Sequence, residues 1–312
     1  MRKVRFAFTI IELIFVIVIM GILGRFGVEF LTQAYSSFIF SQVNSTLHAQ
    51  STVALETIAA RLQFRIKDSI IARTAPGAAF QGLAGSNLGV TATVLEWIGS
   101  DIDGLRGDVG ALYGGIIDID QSNAGALTSP MTNAVALNAL ITELSPGPTA
   151  IGDSALFFTG SGSNVLTDYG WDGAAIINQG AAMHPVNTAL HPTIVNAVNF
   201  LPIRGDNSAA NNFNGVTVHE YYQFAWTAYA VQLADFEGDG DNDLILWYDY
   251  QPWRGETSNI NGTPTLLMEN VETFRFKADG SVVKLQICVH SDIIDGDRDG
   301  GGYAICKEKT IF

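Results

Sequence analysis

Between residues 235 and 243 the chain reads Asp235-Phe236-Glu237-Gly238-Asp239-Gly240-Asp241-Asn242-Asp243. Carboxylates stand at every second position, with Gly240 in the sixth place and Asp243 in the ninth. Such alternation lets one loop aim several oxygens at a single hard cation, and the glycine permits the tight bend. Asp235, Glu237, Asp239 and Asp243 are candidate side-chain ligands, and Asp241 would offer its backbone carbonyl. Carboxylates this close repel by about 0.7 kcal/mol per pair at about 6 Å in water, and roughly fourfold more at an effective dielectric of 20. A solvated acidic turn tolerates the first figure, whereas an ordered loop pinned between strands calls for a cation. Ca2+ is the expectation, and the plain acidic turn is the alternative.

The run Asp295-Gly296-Asp297-Arg298-Asp299-Gly300 repeats the opening of that pattern but carries Tyr303 in the ninth place. A solvated loop is the leading reading there; a second calcium on Asp295, Asp297 and Asp299, with Asp292 nearby, is the lesser one. The pairs Asp101/Asp103 and Asp118/Asp120 carry a weaker signal still. Motifs of catalysis are missing: there is no G-x-S-x-G, no H-E-x-x-H and no glycine-rich phosphate loop after a strand. His48, His219 and His290 are isolated, and His184 and His191 each precede a proline. A non-enzymatic protein is expected. Seventeen Lys+Arg against 31 Asp+Glu leave a net charge of −14, which excludes a broad basic face for nucleic acid.

One carboxylate stands in an unusual place. From Phe8 to Gly24 the chain is Phe8-Thr9-Ile10-Ile11-Glu12-Leu13-Ile14-Phe15-Val16-Ile17-Val18-Ile19-Met20-Gly21-Ile22-Leu23-Gly24, where only Thr9 and Glu12 are conventionally polar. As a helix this run covers roughly 25 Å, the short end of a membrane span, and Phe26, Val28, Phe30 and Leu31 prolong the apolar surface. Arg2, Lys3 and Arg5 precede it, so the positive-inside rule puts residues 1–7 in the cytoplasm. A cleaved secretory signal is the competing reading, with Gly21, Gly24 and Gly27 as small residues for the cut. Neither that nor a plain anchor explains Glu12, since a carboxylate in an apolar helix costs about 2.5–3.5 kcal/mol at mid-bilayer.

Basic leader, small residue, Phe8-Thr9-Ile10-Ile11-Glu12 and an unbroken apolar helix together closely resemble the N-terminal signal of type IV pilins and type II secretion pseudopilins. The resemblance covers about the first thirty residues. It implies cleavage by a prepilin peptidase between Ala7 and Phe8 and methylation of the Phe8 amine; Ala7 stands where the family usually has Gly. It implies also that Glu12 pairs with the N-terminal amine of a neighbouring subunit during assembly. The i,i+4 spacing of Phe8 and Glu12 sets both on one helix face, and pairing would relieve a buried unpaired charge. Loss of the leader would leave 14 cations against 31 acids, a net charge of −17. The glycines at 21, 24 and 27, where major pilins often carry proline, lean toward a minor pilin or minor pseudopilin.

The implied fold is α+β: a long N-terminal helix packed on a C-terminal antiparallel head. The expected division is a cytoplasmic leader 1–7, a membrane and assembly half of the helix 8–31, and an amphipathic half 32–73 carrying Leu55, Ile58, Leu62, Ile66 and Ile70, stopped by Pro76-Gly77. A Gly/Ala/Asn-rich elaboration of the head follows at 74–215, with a helix opened by Ser129-Pro130 and closed by Pro146-Gly147-Pro148 and a strand at Ala155–Phe158. Residues 216–312 form an antiparallel sheet of strands at Tyr221–Val231, Leu244–Tyr250, Val271–Ala278, Val282–Val289 and Tyr303–Ile305. Asp279-Gly280 is the expected hairpin turn, and the segment Leu266–Phe276 is similar to the sheet of larger minor pseudopilins. The tryptophans are expected in the core, with Trp253 after Pro252 as a candidate for a recognition loop.

Cys288 and Cys306 lie eighteen positions apart. An oxidising compartment beyond the inner membrane favours a disulfide, and the resemblance also implies one; two buried thiols are the alternative. Partners implied by the resemblance are other pilins or pseudopilins in a filament, the prepilin peptidase and an inner-membrane assembly platform. The head would stand in the periplasm or at the cell surface as part of a secretion pseudopilus or a pilus. A pilus-tip binding, adhesion or uptake module is the alternative function.

Overall fold

The computed structural model describes residues 9–108, 110–161, 164–171, 183–190, 197–202, 213, 216–238, 240–291 and 303–312. The class is α+β. Helix α1 (Ile10–Gln63) is followed by β1 (Ile71–Arg73), β2 (Phe80–Gly82), β3 (Val94–Gly99), α2 (Ile102–Arg106), β4 (Asp118–Asn123), β5 (Ala126–Pro130) and α3 (Ala134–Leu144). Then come β6 (Ala155–Phe158), β7 (Met183–Leu190), β8 (Ala197–Pro202), β9 (Tyr222–Ala225), β10 (Thr227–Ala234), β11 (Asp243–Tyr250), α4 (Ser258–Asn261), β12 (Thr263–Met268), β13 (Val271–Asp279), β14 (Val282–Ser291) and β15 (Tyr303–Ile311). Two units are distinguished, residues 1–50 with 291–303 and residues 51–290 with 304–312.

In the first unit, α1 begins where the amides of Glu12 and Leu13 bond back to the Thr9 carbonyl at 3.1 and 3.2 Å. No proline interrupts it, and its apolar residues from Ile10 to Leu31 are exposed. Twenty-two residues of helix rise about 33 Å, enough to cross a hydrocarbon core of about 30 Å. A side-chain carbon at Gly21, Gly24 or Gly27 would meet nothing within 4 Å. Among the described residues nothing demands those glycines.

In the second unit the character of α1 changes. Ser51, Ala54, Leu55, Ile58, Ala59 and Leu62 are buried at three- and four-residue spacing. Arg61 lies over the Tyr229 ring at 5.8 Å, while Lys309 pairs with Glu56 and Lys307 bonds to Thr52. The helix therefore packs on both β10 and β15.

It ends at Gln63, ten residues before the expected Arg73. The amides of Phe64 and Arg65 fall back on the Arg61 and Leu62 carbonyls, and the Ile66 amide leaves for the Ile98 carbonyl at 2.8 Å. Asp68 then takes φ 63°, the left-handed region, and Ile71–Arg73 pair with β3. Ile66 and Ile70 thus continue the apolar spacing without being helical, because a strand partner replaces the i−4 carbonyl.

Three antiparallel sheets follow: β12-β11-β10-β3-β1-β2, β4-β5-β8-β7-β6-β9, and β13-β14-β15. The expected boundary at 215/216 is not a break in this architecture. β3 pairs with β10 (Val94↔Gln232 to Gly99↔Thr227), and β6 pairs with β9 (Ala155↔Ala225). Every residue of Val94–Gly99 is buried, so this strand must sit inside a sheet whatever the composition of the loops around it. Its single charge, Glu96, meets Arg73 of β1 at 3.2 Å; burial pushes the Glu96 carboxyl up, and the guanidinium opposes that.

One apolar cluster joins Val94, Ile98, Phe157, Trp171, Ala230 and Trp253; a second joins Tyr113, Leu137, Ile141, Phe200, Phe224 and Trp226. Trp253 is fully buried and donates to the Asp153 carbonyl at 2.9 Å, so it belongs to the core and not to a recognition loop. The strand Ala155–Phe158 is present. Helix α3 is capped by Asn133, whose side chain accepts from the Ala136 amide at 3.1 Å; Ser129-Pro130 instead end β5. The β13–β14 hairpin closes one residue later than expected, with Asp279 opposite Val282 and Gly280 at φ 63° supplying the turn.

Candidate functional sites

The acidic segment 235–243 links β10 to β11, closed at its base by the pair Ala234↔Asp243. Its two ends are tied down by their own side chains. Asp235 accepts from the Gly238 amide at 2.6 Å and from the Gly240 amide at 3.2 Å, and Asp243 accepts from the Phe236 amide at 3.1 Å. Gly238 and Gly240 take φ 81° and 98°, which is why glycine stands at both. Asp243 is buried at the head of β11; Glu237 is exposed. Asp239 lies outside the described residues. Among the described residues no three His, Cys, Asp or Glu side chains come together as a metal-binding group. Asp292, Asp295, Asp297 and Asp299 also lie outside the described residues.

The expected disulfide is present: Cys288 of β14 is bonded to Cys306 of β15, with Cα atoms 4.0 Å apart. It holds the C-terminal strand beside its neighbour, and β15 is the strand that bonds α1 through Lys307 and Lys309.

Glu12 lies in the first turn of α1, exposed and, among the described residues, without a cationic partner. A carboxylate there complements the positive end of the helix dipole. Ala7 and Phe8 lie outside the described residues.

Two buried aspartates had little or no signal in the sequence. Asp101 caps α2 by accepting from the Gly104 amide at 3.0 Å, and burial pushes its carboxyl up to about 6. Asp249 takes φ 60° and accepts from Ser145 at 2.6 Å and from the Gly147 amide at 3.1 Å. Their partners differ: Gly104 is three residues from Asp101, whereas Ser145 is 104 residues from Asp249, beyond any local pattern. Asp118 accepts from the Gln121 amide, a turn-forming bond and nothing more.

Comparison with protein-family models, with curated proteins and with solved structures finds no match.

Proposed function

We propose that the chain is a structural subunit, a minor pseudopilin of a type II secretion pseudopilus or a minor type IV pilin, assembled through the first half of α1. The observation that carries this reading is the uncovered apolar helix with one acid in its first turn. An apolar surface of that extent needs lipid or other copies of such a helix around it. Gly21, Gly24 and Gly27 support it as well. Each costs a helix about 1 kcal/mol relative to alanine, no contact among the described residues requires it, and small residues allow helices to approach closely in a membrane. In this reading the leader 1–7 is cytoplasmic, a peptidase cuts before Phe8, and Glu12 pairs with the amine of a sister subunit. The head then stands beyond the inner membrane, where a disulfide persists.

Glu12→Val tests it. The variant is expected to insert in the membrane at the normal level and to fall at least tenfold in filaments. Normal incorporation would remove the assembly role, and an N-terminal peptide beginning at Met1 in native material would remove the processing step.

The loop 235–243 is proposed to take one Ca2+. Its support is the spacing of the acids and the way Asp235 and Asp243 hold the loop's backbone in place. Calorimetric titration of the protein with Ca2+ is expected to give heat that Asp239→Ala abolishes. No heat, or unchanged heat in the variant, would leave a plain acidic turn.

A further inference from the structure

The three-stranded sheet β13-β14-β15 has two unlike faces. Phe274, Val283, Leu285 and Ile287 are buried on one side. Strand alternation sends Arg275, Lys277 and Lys284 to the other, where all three are exposed. The register sets Lys277 directly opposite Lys284, with Arg275 opposite Gln286. Like charges placed directly opposite weaken a sheet. Two acids stand beside them and are already engaged: Asp279 holds Lys284 at 2.8 Å, and Glu308 accepts from Gln286 at 2.8 Å. Among the described residues Arg275 and Lys277 have neither an ion pair nor a hydrogen bond.

Two ordinary reasons for such cations fall short. Lysine on an edge strand discourages stray pairing, which covers Lys277 on β13, but Lys284 sits on the central strand β14. Solubility is served by a net charge of −14, which cations only reduce. A face with free cations in so acidic a chain suits an acidic partner. The chain itself carries one. The loop 235–243 exposes Asp235, Phe236 and Glu237, and the Val271 amide of β13 donates to the Asn242 carbonyl at its base at 2.7 Å. Lys277 is six residues farther along β13, about 20 Å away. Acidic loop and basic face therefore stand toward opposite ends of one strand, out of reach of each other within a chain. The five carboxylates of the loop also outnumber the two charges of a single Ca2+.

We propose that the outer face of β13 and β14 docks the 235–243 loop of a second copy of this chain, Arg275 and Lys277 meeting Asp235 and Glu237, with Phe236 available to the Arg275 guanidinium. A patch that binds a different patch on its own kind makes a heterologous contact, which leaves a free face and a free loop at the ends and so repeats along a row. Every residue used lies in the second unit, and the contact does not depend on Glu12.

The test is analytical ultracentrifugation of the full chain in an uncharged detergent. Self-association is expected at low salt and should weaken about tenfold or more at high salt, because exposed charges are screened. Lys277→Glu and Glu237→Lys, each alone, are expected to weaken it by a similar factor. An equal mixture of the two variants should pair again, since the intact face of one meets the intact loop of the other. Circular dichroism and melting should remain unchanged in both, and Glu12→Val should associate like the parent chain. Absence of self-association at low salt would overturn the proposal, as would undiminished association in either charge variant or a mixture that stays apart. Association lost in Glu12→Val yet kept in both charge variants would move the contact to α1, overturning this proposal while leaving the filament reading in place.

Discussion

The two halves of one helix behave oppositely. From Ile10 to Leu31 the apolar side chains of α1 are exposed, Ile10 at 80% and Leu31 at 67%, while Ile58 and Leu62 are at 0%. No break in the hydrogen-bonded helix separates these regions. The first half is apolar on all sides, and the second has a stripe. A helix apolar all round needs an apolar medium, whereas a striped one needs a single packed face. This contrast predicts a head whose stability does not depend on the first half of α1.

Ile58→Ala against Ile17→Ala breaks or sharpens that contrast most strongly. Removing the buried Ile58 side chain is expected to cost the head about 2–5 kcal/mol in denaturant unfolding, and Ile17→Ala is expected to cost it nothing. A comparable loss at Ile17 would mean that the first half stabilises the head directly.

Asp101→Asn is the intermediate case. Burial holds the Asp101 carboxyl at about 6 against an ordinary 3.8, so the folded chain keeps its proton to higher pH than the unfolded chain does. That contribution favours folding below the unfolded value and is lost as pH rises from about 4 through 6. The amide keeps the acceptor for the Gly104 amide and cannot ionise. Melts should show Asp101→Asn stabilised by about 3 kcal/mol at pH 7.5 and nearly unchanged at pH 4, on the scale of about 1.4 kcal/mol per pH unit.

Gly24→Ala carries the smallest effect. The added methyl meets nothing within 4 Å and favours the helix by about 1 kcal/mol, so the melting temperature of the head should not move. Incorporation into filaments is expected to fall severalfold, because close helix approach is lost; full incorporation would take the packing role from this glycine.

Much of the architecture was legible from the chain itself. The apolar run, the buried spacing of Leu55, Ile58 and Leu62, the strands β11, β13 and β14 and the two cysteines all announce themselves locally, whereas the single strand expected over Tyr221–Val231 divides at Trp226 into β9 and β10, which belong to different sheets. Apart from α3 and Ala155–Phe158, residues 74–215 did not, because glycine- and alanine-rich loops conceal short strands such as Val94–Gly99, one of whose two partners, β10, lies more than a hundred residues away. The apolar spacing through Ile66 and Ile70 suits a helix as well as a buried turn and strand. The Ile98 carbonyl decides between them by taking the Ile66 amide.

Composition and spacing alone determined that one end of this chain is too apolar to face water, that its acids cluster in loops, and that the last third, from Val216 onward, is rich in strands. Those properties depend on side-chain type and on neighbours within a few residues. Only the tertiary structure decided where α1 stops and that β3 and β6 pair with β10 and β9, far downstream. Pairings across long loops are chosen by the burial and hydrogen bonding of both partners at once, which neither partner's local sequence contains.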